Sequence, residues 1–510
     1  SITNLVMTNS TYLHAGLFCA LKDATVENLV IDFSCSFTGH NVGALSVSAL
    51  GSLTVKNVTS QATIHSFQKA GGFVGTIEEL KSENTIVIFD GCTNDGVFNG
   101  SNKGAGGFIG SIENNTNIIV LVSNSITNGT ITNHEKVGGF VGEIKSNTNT
   151  MLSFSNSVSR IIAEKNRESI SGFVAYVDSN SGLNGLFINC SNEATLSTSG
   201  QPGGFIGRIH YNAEMNLTFS HSTNYGAIYS YDSSGGFIGE CYKNNNTQIH
   251  LDHCHNLNNV TAIYDYAGGF IASIGNNADF DVTFSYCNEL YDQARDIRVS
   301  GDTIGWFIGG VWDNQRINLL LANSNTVYPV KGGTALGGFI GSITGNEQGN
   351  TTVINCINHA TVLNVHNNSD ADAGGIVGFF ENNQNMYISF TNTTNEGSVS
   401  GFGFTGGLIG RIYFKSGSEL VSDSSDLPSE SDSEPEPFSH TLSIINSANK
   451  GHVYQTDGTT CGLFCVDNTY RYNIATNVIN SINKGSVNAN TSAYGIANII
   501  TVARNVVSMG

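Results

Sequence analysis

Short apolar runs alternate with polar stretches of Asn, Ser, Thr and Gly along almost the whole chain, and one repeat shows the pattern. Gly107-Phe108-Ile109-Gly110-Ser111-Ile112 is followed by the polar turn Glu113-Asn114-Asn115-Thr116. A second apolar run, Asn117-Ile118-Ile119-Val120-Leu121-Val122, ends at Ser123-Asn124-Ser125. A third run, Ile126 to Ile131 around Asn128-Gly129, leads back to the next copy. Runs this short, rich in Ile, Val, Phe and Thr and bounded by Asn, Gly and Ser, predict three short strands per repeat. The signature GGF(I/V)G marks the period. It stands at Gly71, Gly106, Gly138, Gly203, Gly235, Gly268 (as GGFIA), Gly337, Gly374 (GGIVG) and Gly406 (GGLIG). Degenerate copies start at Ala15, Ser171, Gly305 and Cys461, and from Gly72 to Gly407 the intervals are 32 to 37 residues.

A fixed period of this length predicts a solenoid, in which each repeat buries its apolar face only against its neighbours. Helical repeats would need Ala, Leu, Glu and Lys on a 3.6-residue period, whereas charged residues are only 12% of this chain. A propeller blade is about ten residues longer, and more than a dozen copies exceed one ring of blades. The expected fold is therefore all-β, a parallel β-helix of about fifteen rungs of about 32 residues, a rod roughly 70 Å long at ~4.8 Å per rung. The general crossover rule makes it right-handed. Phe73, Phe108, Phe140, Phe173, Phe205, Phe237, Phe270, Phe307 and Phe339 are expected to form an interior column. The flanking glycines would tighten the corner and supply positive φ. Residues 1–510 then form one solenoid domain, interrupted by an insertion at 416–440.

The signature resembles the GLUG motif, a glycine-bracketed repeat of bacterial surface proteins and adhesins and of large protist surface proteins. The resemblance spans Ala15 to Tyr494, with Phe mostly replacing Leu. It implies a secreted β-helical surface protein and carries over no catalytic residue.

Composition narrows the partners. A net charge of −19 with only 22 scattered basic residues argues against a nucleic-acid backbone, which needs clustered Lys and Arg. No stretch approaches eighteen apolar residues, so no spanning helix is expected. The chain opens at Ser1 and ends within the pattern near Val506-Val507, with no polar capping element at either end. Two expectations follow: the chain belongs to a longer protein, and open rung ends stack between molecules into filaments. Thirteen N-x-S/T sequons, at Asn9, Asn57, Asn99, Asn114, Asn128, Asn189, Asn216, Asn245, Asn259, Asn350, Asn367, Asn392 and Asn490, predict N-linked glycans on turns.

Six of the ten cysteines, Cys35, Cys92, Cys190, Cys254, Cys287 and Cys356, hold nearly one position in the repeat. Cys254 and Cys287 occupy consecutive repeats, so stacking brings them within disulfide range. A bridge and a ladder of buried thiols are both open readings. Cys461 and Cys465, read as one strand, would lie ~13 Å apart and could not pair.

The remaining candidate chemistry is sparse. In Ile249-His250-Leu251-Asp252-His253-Cys254-His255, His253 and His255 share a strand face, without the spaced pairs of a zinc site. Gly401-Phe402-Gly403-Phe404-Thr405-Gly406 matches GxGxxG, but no helix is expected after it and its last glycine belongs to the repeat signature. A polysaccharide-active β-helix, lyase or hydrolase, is the alternative function. Its usual motifs are absent; Arg208-Ile209-His210 is one near fragment, and Asp279, Asp281 and Asp252 are a carboxylate set that adjacent rungs could supply. Residues 416–440 carry seven carboxylates and three of the five prolines, which predicts a solvated loop. Trp306 is expected in the core, and Trp312, with Tyr266 and Tyr286, outside. No cofactor or metal is expected. The chain reads as an extracellular or cell-surface structural or adhesive rod. Its expected partners are N-linked glycans, further copies of itself, and a cell-surface or carbohydrate ligand. An enzyme should instead gather Asp, Glu, Arg and His from neighbouring rungs into one cleft.

Overall fold

A computed structural model of the chain describes residues 1–8, 13–81, 84–100, 103–164, 168–288, 299–365, 371–413, 440–455, 458–467, 474–489, 492–495, 502–504 and 507–508. Among them there are strands and no helix, and every strand pairing is parallel, turn upon turn. The chain winds as a β-solenoid of about 13 full turns, against roughly fifteen expected. Two sheets run its length, one of 14 strands built from the signature and one of 15 strands from the long apolar run. The acidic insertion, apart from His440, lies outside the described residues.

Most turns hold more strands than the three expected. The third run splits into a two-residue strand, Ile126–Thr127, and a second, Thr130–Thr132; a separate strand, Lys136–Gly138, leads into the signature. Inward asparagines cause the split where they occur. The Asn192 Oδ1 accepts from the amide of Ala194 at 3.2 Å, an Asx turn that bends the chain two residues on. Its Nδ2 donates to Asn224 Oδ1 in the next turn at 2.7 Å.

The phenylalanine column is present. All nine rings are buried, and successive centroids are 4.6 to 5.2 Å apart. A second column from the long sheet, Phe154, Phe187 and Phe219, meets the first edge-on. Trp306 is interior, as expected.

The signature glycines serve space, not positive φ. None of them has a positive φ; among the described residues, apart from five other glycines, that region is used by the corners after the strands, mostly by asparagine. Signature glycines line a re-entrant corner between Lys136–Gly138 and Val141–Lys145. A Cβ on Gly138 would overlap the carbonyl of Val141, three residues on; one on Gly139 would overlap the carbonyl of Gly172 in the next turn. The first and fifth signature residues flank this corner. That geometry corrects the expectation for Cys461 and Cys465, which hold those two places: the chain bends between them, their Cα atoms are 5.5 Å apart, and they form a disulfide.

Nine buried asparagines, Asn115, Asn147, Asn180, Asn212, Asn244, Asn277, Asn314, Asn346 and Asn383, stack in register at the corner after the signature strand. The Oδ1 of Asn212 accepts from the amide (2.9 Å) and the Nδ2 (3.0 Å) of Asn180 in the preceding turn. Its own Nδ2 donates to Asn244 Oδ1 and to the carbonyl of Val177. Stacked amides thus satisfy a corner that would otherwise bury unpaired backbone groups.

Candidate functional site

On the signature strands two positions face outward, because side chains alternate between the faces of a strand. One column holds Tyr176, Arg208 and Glu240, in register; the other holds Asp178, His210 and Tyr242. The re-entrant corner turns the preceding strand against them and makes a polar cleft along the rod. Lys69 meets Glu113, and Lys136 meets Glu143, each at 2.6 Å, with all four side chains largely covered. The Lys136 ammonium also sits 4.1 Å from the Tyr176 ring centre. Further along, Arg411 lies between Asp372 (3.5 Å) and Asp467 (2.6 Å), among the rings of Phe379, Phe404 and Tyr413.

At mid-length the polar groups join into one chain across four turns. The Tyr176 hydroxyl is 3.4 Å from His210 Nδ1, and His210 Nε2 is 2.8 Å from Glu240 Oε2. Arg208 Nε is 3.8 Å from the same carboxylate, and Arg208 also donates to Gln201, which donates to Asp232. Asp232 in turn is hydrogen-bonded to Asp265. Burial, and then the neighbouring Asp232 charge, push the Asp265 carboxyl up from 3.8 to about 7.

This raised carboxyl fixes a sign. The folded state binds a proton between pH 3.8 and about 7 that the unfolded chain releases, so the stability this group confers falls as pH rises through that window. His134 acts oppositely: burial holds its imidazole down from 6.5 to about 4, so stability is lost as pH falls through that range. Asp265→Asn should therefore gain melting temperature over the parent at pH 8, with the gain shrinking as pH falls and gone only near pH 4, where the unfolded carboxyl is protonated too. Calorimetry across that range checks it, and a gain independent of pH would refute the assignment.

An aromatic row borders the polar chain. Tyr211, 51% exposed, is 6.2 Å from Tyr242, whose ring centre is 5.8 Å from that of Trp312 at an interplanar angle of 32°. Trp312 lies flat across Gly275, where a Cβ would run into the indole. Of the aromatics expected outside, Tyr266 is instead half-buried in the cleft, with its ring against Gly310. Tyr286 stands at the opposite corner, stacked on His253, which stacks on His221 (centroids 5.0 and 4.9 Å). Beside that stack is a shallow groove of about 750 Å³ lined by Glu193, His221, Thr223 and Tyr225.

The other sequence candidates are not gathered. His253 is on the outer corner while Cys254 is interior, and among the described residues no group of three His, Cys, Asp or Glu could hold a metal ion. Asp279 pairs with Arg316, Asp281 accepts from Asn318, and Asp252 contacts His253 and Ser285. These three carboxylates therefore make no joint site. Cys254 and Cys287 are free thiols, unbridged, and so are the other four of their column. Serines such as Ser125, Ser222 and Ser324 fill the same column, each accepting an amide of the turn before. Burial raises Cys92 to about 11 and Cys190 to about 12, which leaves them unreactive.

Of the cleft residues, only Arg208, His210, Tyr266 and Trp312 were distinguishable in the sequence. The link between Gln201, Asp232, Asp265 and Glu240 depends on the inward bend at the signature, which composition does not signal. Ten of the thirteen sequon asparagines are described; nine are exposed and Asn99 is half-buried, while Asn9, Asn367 and Asn490 lie outside the described residues. Compared with protein-family models, with curated proteins and with solved structures, the chain has no match.

Proposed function

We propose that the chain is an extracellular or cell-surface rod with a structural or adhesive role, N-glycosylated and built from GLUG-like turns. The observation that carries this reading is how the asparagines divide. Among the described residues, no buried asparagine opens a sequon, and every sequon asparagine reaches solvent. A chain this rich in Asn and Thr, with no selection for glycan sites, would scatter sequons over both sets. The Cys461–Cys465 disulfide supports the same setting, since such bonds persist in oxidising compartments. Further copies stacking end to end are the assembly this role favours. The test is to express the chain through a eukaryotic secretory pathway, remove N-glycans enzymatically in heavy-oxygen water and map the marked asparagines. Asn114, Asn128 and Asn216 should be occupied; an unmodified chain would defeat the reading.

A polysaccharide-active enzyme is the second reading, favoured by the convergence of Tyr176, Arg208, His210, Glu240 and Asp265 from neighbouring turns. Against it, Asp232 and Asp265 are hydrogen-bonded to each other. Glycosidases hold their two carboxyls about 5 to 9.5 Å apart to flank the bond. The cleft is better suited to holding a ligand than to cleaving one.

A further inference from the structure

The described sequons avoid one face. They occupy the long sheet (Asn216, Asn350), the corners beside it (Asn57, Asn114, Asn189), the short-strand turns (Asn128) and, at the half-buried Asn99, the strand Val97–Gly100; none of those described lies on a signature strand or on the short strand directly before it. Glycans on the other faces would leave the cleft bare. That bare face carries the aromatic row and the polar chain side by side, both running along the rod.

We infer that this cleft binds a saccharide chain laid parallel to the rod axis, with sugar rings on Tyr242 and Trp312 and hydroxyls on Glu240, Arg208 and Asp232. Pyranose rings present C–H faces that pack on aromatic planes and hydroxyls that need paired donors and acceptors close by. The face offers both, in a row that a polymer can follow. A protein partner of ordinary size would seek an apolar centre, and the outward side chains here are polar or aromatic. A polycation would find the carboxylates already engaged: Glu240 by His210 and Arg208, Asp232 by Gln201. The inference draws on the glycosylation reading only for the bareness of the face.

The test uses the full chain as secreted, with fluorescein-labelled cellohexaose, chitohexaose and mannohexaose as saccharide probes and hexalysine as the cationic one. At least one hexasaccharide should bind, with a loss of about tenfold in Tyr242→Ala and in Trp312→Ala. Tyr387→Ala, on the long sheet and 37% exposed, should bind as the parent does. Because Trp312 is half-buried, circular dichroism accompanies its variant, and Tyr242→Ala decides if that variant unfolds. The inference fails if no hexasaccharide binds at millimolar concentration, if Tyr387→Ala loses as much as Tyr242→Ala, or if hexalysine displaces the sugar. The same samples are weighed by mass spectrometry before and after glycan removal. Saccharide binding by a chain that carries no glycan would keep the site and overturn the glycosylation reading; glycans without binding would do the reverse.

Discussion

Phe237→Asp should disrupt the middle of the rod, with a loss of more than 5 kcal/mol, roughly the cost of a Phe→Ala cavity plus that of an unpaired buried charge. Phe237 is wholly buried, with Phe205 at 4.6 Å below it, Phe270 at 5.0 Å above it and Phe219 edge-on at 5.7 Å. Among the described residues, no cation lies over those rings to meet a carboxylate. Because each turn contacts only its neighbours, the damage should be local first. Proteolysis should cut near residues 205 to 270 before the ends of the rod give way. Phe237→Leu, which keeps most of the apolar volume, should cost far less. Unchanged melting and an unchanged proteolytic pattern in Phe237→Asp would remove the column from the core.

The phenylalanine column was legible because it repeats in a way only stacking explains. A residue that recurs at one place in a repeat must meet its own copies, so Phe73 to Phe339 could be assigned inward without knowing the path between them. The corner was not legible, and two errors trace to it. Taking Cys461 to Cys465 as one extended strand separates residues that the bend joins. Assigning the signature glycines positive φ misplaces the strained corners, which fall on residues such as Asn189 (φ 52), His253 (φ 50) and Tyr286 (φ 52). The same bend builds the cleft, since Gln201 reaches Arg208 only because the chain turns back between them. Within one turn, the pairs across this corner, Lys136–Glu143 and Gln201–Arg208, are seven residues apart in sequence, a spacing that marks no strand or helix pattern. The free thiols show the opposite limit. Stacking predicted that Cys254 and Cys287 would be neighbours, but adjacency alone does not decide between a bridge and two thiols.

Asparagine is a turn residue by sequence pattern, and in this fold it is also the rung of a buried amide ladder. Asn212→Leu should destabilise the rod by about 3–5 kcal/mol, since each buried polar group left unpaired costs ~1–3 kcal/mol. The change removes the acceptor for the Asn180 amide and Nδ2, and the donor to the Val177 carbonyl. All of these groups are interior and have no access to water. The backbone amide of Asn212 would still donate to Asn244 Oδ1 at 3.0 Å, so the ladder above should survive while the turn below loosens. Asn184→Leu, on the exposed face of the long sheet, should change stability by less than about 0.5 kcal/mol. Thermal unfolding of the two variants separates a hydrogen-bonded ladder from simple packing of small polar groups. Equal losses, or none at Asn212, would mean that the stacked amides are incidental to the fold. A loss confined to Asn212 would mean that roughly every turn is closed by an amide from the next, and that the solenoid's length is set as much by its asparagines as by its phenylalanines.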